Sequence, residues 1–408
     1  MLENIVIWEE CARDGAQAKT IMSAAQRIEV ARDTASIFGD AARKHLIFAA
    51  GFPSSSHEEF AIIRKMSEEI RDCHLATHGR ATRRDIDRSL EALEGAALPR
   101  LTFFVPMSPA TTQALGFAST ADAMAEGLHI AEYAKCRAGD IPVDVALVDV
   151  PQVEPEVVAE YTCRMTETGV DVVKLCDSRG VFYPNFAEQF YRRFFAALGL
   201  DAQQMKIGVH NHNDLGFATS NNFKGIEHGA CVVSSSWLGL GERNGLARTE
   251  ELLVAIHLSQ RGQHLQADAF HCDWPLALHT DLIRAIAHRV SDYTDVSIKI
   301  TDAIVGGGVN SISTGTPFHN PNAFQPFDPV SLLGCPREVH LTQLSSIAIV
   351  RHVAELTGHD LTNDQAKEAL VWVKTHCYDQ NTAIVPTRVF NRYLDSVIVE
   401  KCTISAEA

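Results

Sequence analysis

Short apolar runs alternate with segments whose apolar positions recur at helical spacing, and the alternation repeats eight times before residue 263. The runs Ile5–Glu9, Leu46–Ala50, Cys73–Ala76, Leu101–Val105, Val143–Asp149, Val172–Cys176, Lys206–His210 and Val232–Trp237 predict strands. The amphipathic segments that follow them predict helices, among them Ser23–Phe38, Glu58–Arg71, Thr82–Leu93, Thr120–Lys135 and Pro184–Leu198. Alternating units of this size favour a parallel sheet, and eight of them favour closure into a (β/α)8 TIM barrel of about 250 residues. After Gly262 the pattern changes. Gly262–Asp273 is polar and reads as a connection. Helical periodicity then governs Leu276–Arg289, Val339–Leu356, Asp364–Thr375 and Thr387–Val397. Between the first two lies Asp302–Pro329, rich in Gly, Pro and Asn, which is too long for a structureless loop inside a compact domain. The reading is a barrel domain over 1–262. A linker, an extended arm and a helical C-terminal region follow over 263–408, with the arm and its helices forming a homodimer interface.

Composition narrows the function. Of 408 residues 46% are hydrophobic, and 51 acidic side chains against 36 Lys and Arg give a net charge of -15. Such a surface repels phosphate backbones and anionic lipids, which argues against nucleic-acid and membrane partners and for small-molecule substrates. No apolar run reaches the roughly 20 residues of a membrane span. The N-terminus lacks the basic and apolar regions of a signal peptide. Ten cysteines without a C-x-x-C pair read as reduced, mostly buried thiols, so a cytoplasmic location is expected.

Two motifs carry chemistry. In VHNHNDLG, residues 209–216, His210 and His212 are two apart at the end of a strand, so both side chains point to one face. Two imidazoles there can share one ion, and the C-terminal strand ends of a barrel build its active site. In RDGAQ, residues 13–17, Asp14 ends the first strand and can supply the carboxylate of a two-His, one-carboxylate site, with Arg13 beside the ion and Gln17 towards substrate. A third segment, GLGERNG at 239–245, follows strand eight; its glycines permit close backbone approach, and Asn244 offers a fourth ligand or a substrate contact. It lacks the G-K-[ST] ending of a phosphate-binding Walker loop. Arg80, Ser178 and Arg179 follow strand ends, and Asp144 lies within strand five; each is a substrate-binding candidate.

These residues resemble the DRE-TIM metallolyases, and most closely the isopropylmalate and homocitrate synthase branch. RDGAQ is similar to that family's R-[DE]-G-x-Q, AGFPSSSHEEF (50–60) to its A-G-F-P segment, and RATRRDIDRSLEAL (80–93) to its R-A-x-x-x-D-I-D stretch. HNHNDLGFATSNN (210–222) and GLGERNG resemble its metal-binding and strand-eight motifs. The resemblance implies a Claisen-type condensation of acetyl-CoA with a 2-oxo acid on a divalent ion, Mg, Mn or Zn. Asp14, His210 and His212 are then the ligands, Arg13 polarises the carbonyl, and Ser178 meets the substrate carboxylate.

The departures matter as much. The family's acidic residue before A-G-F-P is Ala49 here, its strand-four histidine is Thr102, and its histidine-bearing arm is Gly308–Pro317 without a histidine. The base is therefore displaced, with Glu9, Glu10, His78 and His319 as replacements. Asp144 stands where homocitrate synthases use an arginine, which argues against 2-oxoglutarate, and Arg179 favours an extra anionic group, as in a phosphonopyruvate-like acid. A metal-dependent lyase or aldolase, a non-haem iron enzyme with the same ligand set and an inactive homologue remain alternatives. The chain also ends without the long C-terminal region of feedback-regulated isopropylmalate synthases, so leucine-type regulation is not expected.

Overall fold

In a computed structural model that describes residues 5–199, 205–260 and 277–406, the chain divides into two compact units, Met1–Ile298 and Lys299–Ala408. The first is the barrel. Its strands are β1 (Val6–Glu9), β2 (Leu46–Gly51), β3 (His74–Arg80), β4 (Pro99–Pro106), β5 (Val143–Val148), β6 (Val172–Asp177), β7 (Lys206–Asn211) and β8 (Val232–Ser235). Each pairs in parallel with the next, and β8 returns to β1 with Val6 opposite Val232 and Glu9 opposite Ser235, which closes the sheet.

Local chemistry starts the helices where the sequence places them. Ser23, Ser56, Thr82 and Ser119 each accept a hydrogen bond from the backbone amide three residues on, opening Ala24–Phe38, His57–Glu69, Arg83–Leu93 and Thr120–Ala138. Caps of this kind contribute about 1 kcal/mol each. Inside the barrel, Val6, Trp8, Ile47, Ala49, Ala76, Val172 and Val232 form an apolar layer towards the N-terminal ends of the strands. Ala49 is thus a core side chain.

Several predicted boundaries move; the helix predicted over Val339–Leu356 begins at Ile347, with Glu338–Val339 a short strand, and that predicted over Thr387–Val397 runs to Ala406. β3 continues past Ala76 through Thr77, His78 and Gly79 to Arg80. Its polar residues resemble a loop in sequence because they approach the rim, where polar side chains face a cavity instead of the core. The helix predicted over Leu276–Arg289 begins later, at Ile283, and runs to Thr294 within the first unit. It buries Ile283, Ile286, Ala287 and Val290, and Arg289 pairs with Glu29 and Asp33 of Ala24–Phe38. Packing on the barrel's first helix draws this segment to the barrel side. The predicted connection Gly262–Asp273 lies outside the described residues.

The second unit has its own core, built by Ile347–Leu356, Asn363–Asp379 and Thr387–Ala406 around Ile349, Val353, Val373 and Phe390. Residues 302–329 are not structureless. They hold the strand Ser311–Ile312, paired with Glu338–Val339, and the short helix Gly315–His319. Asn310 fixes this segment by donating to the Cys335 carbonyl at 2.7 Å and accepting from Gln325 at 3.1 Å. Among the described residues no helix is long and apolar enough to cross a membrane.

Candidate active site

At the end of β1 the chain turns sharply, because the Glu10 carbonyl accepts hydrogen bonds from the amides of Arg13, Asp14 and Gly15. The turn brings Asp14 back over the barrel mouth. Its Oδ1 accepts the Glu242 amide of the strand-eight loop at 2.8 Å, while Oδ2 lies 3.0 Å from Arg13 Nη2 and 3.6 Å from His210 Nε2. That loop needs its glycines. Gly245 has φ +78°, and a Cβ there would sit 1.7 Å from the Gly239 carbonyl oxygen. No other residue satisfies both demands.

His210 and His212 project together from the end of β7, with ring centres 5.2 Å apart. The asparagines between and after them have other duties. Asn211 points the opposite way, accepting from Tyr191 and donating to Asn222, and the Asn213 carboxamide oxygen caps the next helix at the Ala218 amide. Asp214 takes two hydrogen bonds from Arg243, which also donates to the Ser178 carbonyl at 2.7 Å. One arginine therefore ties together the loops after β6, β7 and β8.

Asp14, His210 and His212 are all buried, and one ligand atom from each lies within 4.8 Å of the others. His212 Nδ1 is buried without a hydrogen-bond partner, an expensive arrangement unless something else engages the ring, whereas His210 Nδ1 faces Glu10. The electrostatics of His212 and Asp14 suit a ligand set. Burial and the neighbouring His210 push His212 down to about 4. Burial would raise the Asp14 carboxyl, but Arg13 and the two histidines outweigh it and hold the group below its usual range. One carboxylate and two imidazoles fit a divalent ion such as Zn, Mn or Mg.

Beneath these residues lies a buried ion network. Glu10 Oε2 accepts from Arg13 Nε at 2.8 Å, and Oε1 faces Lys174 Nζ at 3.2 Å and His210 Nδ1 at 3.5 Å. Burial alone would raise the Glu10 carboxyl, but Arg13, Lys174 and His210 hold it well below the carboxylate range. Glu10 is thus a permanently charged anchor.

The cavity above the network has a volume of about 260 Å³, at the small end for ligand sites. Arg13, Asp14, Gln17, His210, His212 and Ser178 line it, so the structure brings these predicted residues together. His78 joins them from β3, stacked on Phe104 with ring centres 5.4 Å apart. Burial, with Arg13 and Lys174 nearby, drives its imidazole well below its usual range, so it is neutral. Phe104, Ala146 and Val148 form the apolar wall.

Other predicted residues go elsewhere. Asp144 does not line the cavity; it is fully buried in a bidentate pair with Arg100, which also binds Asp171. The barrel pleat places it one layer too low, and Ala146 occupies the strand-five position facing the cavity. Its charge therefore says nothing about 2-oxoglutarate. Arg80 is half-exposed, paired with Asp85 and set against Phe52. Arg179 reaches away to Asp149 at 3.0 Å. Asn244 is exposed and outside the lining; the loop meets Asp14 through the Glu242 amide instead. Glu10 is beneath the cavity, and Glu9 points outward, where its carboxylate accepts the Cys11 and Trp237 amides. His319 belongs to the second unit, edge-on to Phe318. Sequence reasoning missed Lys174. Its signal is a lysine within the apolar strand VVKLC.

Residues 4–287 match the HMGL-like family. The chain belongs to the HMGL-like, or DRE-TIM, family. Among its curated relatives, 2-isopropylmalate synthase of Geobacillus stearothermophilus is 27% identical over 91% of this chain and 70% of its own length. The 2-isopropylmalate synthase of Clostridium kluyveri is 29% identical over 78% of this chain, which spans 59% of that protein. Among solved structures, hydroxymethylglutaryl-CoA lyase from Pseudomonas aeruginosa shares the fold with a TM-score of 0.55 at 18% identity, covering 72% of this chain and 93% of that one.

Proposed function

We propose that this HMGL-like protein is a metal-dependent acyltransferase that condenses acetyl-CoA with a 2-oxo acid to a 2-alkylmalate-type product. The observation that carries the reading is the buried cluster of Asp14, His210 and His212 with Arg13 held against it, in a chain whose curated relatives are 2-isopropylmalate synthases. A divalent ion held by that cluster supplies a Lewis acid for the 2-oxo acid carbonyl. Arg13 supplies a fixed positive charge where the carbonyl oxygen gains negative charge. Its guanidinium is locked by Glu10 and Asp14, so little reorganisation is needed during reaction. Ser178 Oγ already accepts the Asp149 amide at 3.0 Å, which leaves its own proton to donate to a substrate carboxylate. His78 faces the cavity as a neutral imidazole and can accept the α-proton of the acetyl group. His319 is the other candidate for that step. A homodimer formed through residues 302–329 and the helices after them is the expected assembly.

Release of free thiol from acetyl-CoA, measured across a panel of 2-oxo acids with Mg²⁺, Mn²⁺ or Zn²⁺, tests the reading. Thiol release that depends on one acid and one metal is expected. Cleavage of a hydroxyacid or hydroxyacyl thioester without any thiol release would establish a lyase instead. His78→Gln and His319→Gln, assayed by exchange of the acetyl protons with solvent, identify the base.

A further inference from the structure

Lys174 stands on β6 inside the barrel, 1% exposed, and borders the cavity. Its Nζ lies 3.2 Å from Glu10 Oε1 and 3.6 Å from the centre of the Trp8 ring. Both are contacts that an ammonium makes. The neighbouring strand is cut away for it: Gly208 pairs with Lys174, and a Cβ there would come within 2.6 Å of Lys174 Cγ. Close approach, not backbone conformation, is what this glycine serves. An ammonium has three donors. Glu10 and the Trp8 face engage two, and no protein acceptor for the third occurs among the described residues.

Charge balance points the same way. Within the buried site Arg13 and Lys174 offset Glu10 and Asp14, and Arg243 at the rim is offset by Asp214. Glu242 lies at the partly exposed mouth, where water screens it. The inner groups are therefore neutral before a divalent ion is added and carry two positive charges afterwards. A 2-oxo acid with a single carboxylate leaves one of them uncompensated in a low-dielectric cavity; an acid with a second anionic group does not. Arg179, the sequence candidate for such a group, is committed to Asp149.

We infer that Lys174 receives a second anionic group on the 2-oxo acid, so that the substrate class is a 2-oxo acid bearing a carboxylate or phosphonate on its side chain. The inference rests on the synthase reading for the 2-oxo acid itself. Isothermal titration of the Mn²⁺-loaded protein, without acetyl-CoA, tests it. Oxaloacetate and 3-phosphonopyruvate are compared with 2-oxobutyrate, and 2-oxoglutarate with 2-oxopentanoate. At least one dianion should bind roughly 10- to 100-fold more tightly than its singly charged counterpart, the size of a charged hydrogen bond. The carboxylate and phosphonate arms separate the two sources of charge. Lys174→Met should collapse that ratio to near one; Lys174→Gln, which keeps stem length and an amide donor, serves where Met impairs folding. Equal binding of all acids, no binding, or a ratio retained in the variants overturns the inference. Because titration needs no acyl donor, a clear dianion preference without thiol release would remove the acyl-transfer reading alone.

Discussion

Glu10 is the single anion that holds Arg13, Lys174 and His210 in place, and Glu10→Gln tests how far the site depends on it. The amide keeps the shape and one acceptor but removes the charge. Arg13 retains Asp14 at 3.0 Å, whereas Lys174 loses the carboxylate 3.2 Å away. At an effective dielectric of about 20, charges at that separation attract by about 5 kcal/mol, part of which is offset by the cost of burying them. Removing one partner of a buried pair costs about 3–5 kcal/mol, because the other charge is left uncompensated. For a unit of this size that corresponds to a fall in Tm of roughly 10 °C. Lys174→Met should cost less, since Glu10 keeps Arg13. The double variant leaves no orphaned ammonium, so it should be more stable than the sum of the single effects implies, by about 2 kcal/mol. Urea denaturation of the four proteins measures this. Single effects that add within about 0.5 kcal/mol would show that the two side chains are not energetically coupled and would refute the network.

His212→Ala should abolish bound metal and thiol release while circular dichroism stays that of a folded barrel; stoichiometric metal in the variant would disprove the ligand set. Glu9 and Glu250 are both fully buried, and burial pushes each carboxyl from 4.5 up to about 7. A raised acid stabilises the fold fully below the unfolded value and loses that contribution as pH rises through about 7. Stability should therefore fall as pH rises from about 4.5 to about 7 and level off above, by on the order of 1 kcal/mol per pH unit for each group, and Glu9→Gln should remove about half of the drop. An unchanged pH profile in that variant counts against the assignment. Arg100→Leu should destabilise by about 3–5 kcal/mol by stranding Asp144, yet Asp144→Asn should leave the order of 2-oxo acid preference unchanged; a reordered preference in the kinetic panel would place Asp144 in the site after all.

The sequence by itself determined the barrel, because short apolar runs alternating with segments of helical period are written locally, and Ser23, Ser56, Thr82 and Ser119 cap their helices from within their own segments. It also determined the cluster of Asp14, His210 and His212. His210 and His212 share a face by strand geometry, and strand ends one and seven meet on one rim in any closed eight-stranded barrel. What it left open depended on depth along the barrel axis. Asp144 and Ala146 both face inward on β5, and only the stagger of neighbouring strands decides that one pairs with Arg100 while the other meets the cavity. Arg80, Arg179 and Asn244 follow strand ends as active-site residues do, but Asp85 and Asp149 claim the arginines and a backbone amide takes the place at Asp14 expected of Asn244. Lys174 is the converse case. A lone lysine in an apolar run has no local partner, since Glu10 lies 164 residues away in the chain and Gly208 on another strand clears its path. Such long-range pairings exist only once the barrel has closed, which is why the cluster of Asp14, His210 and His212 was legible in the sequence and the charge beneath it was not.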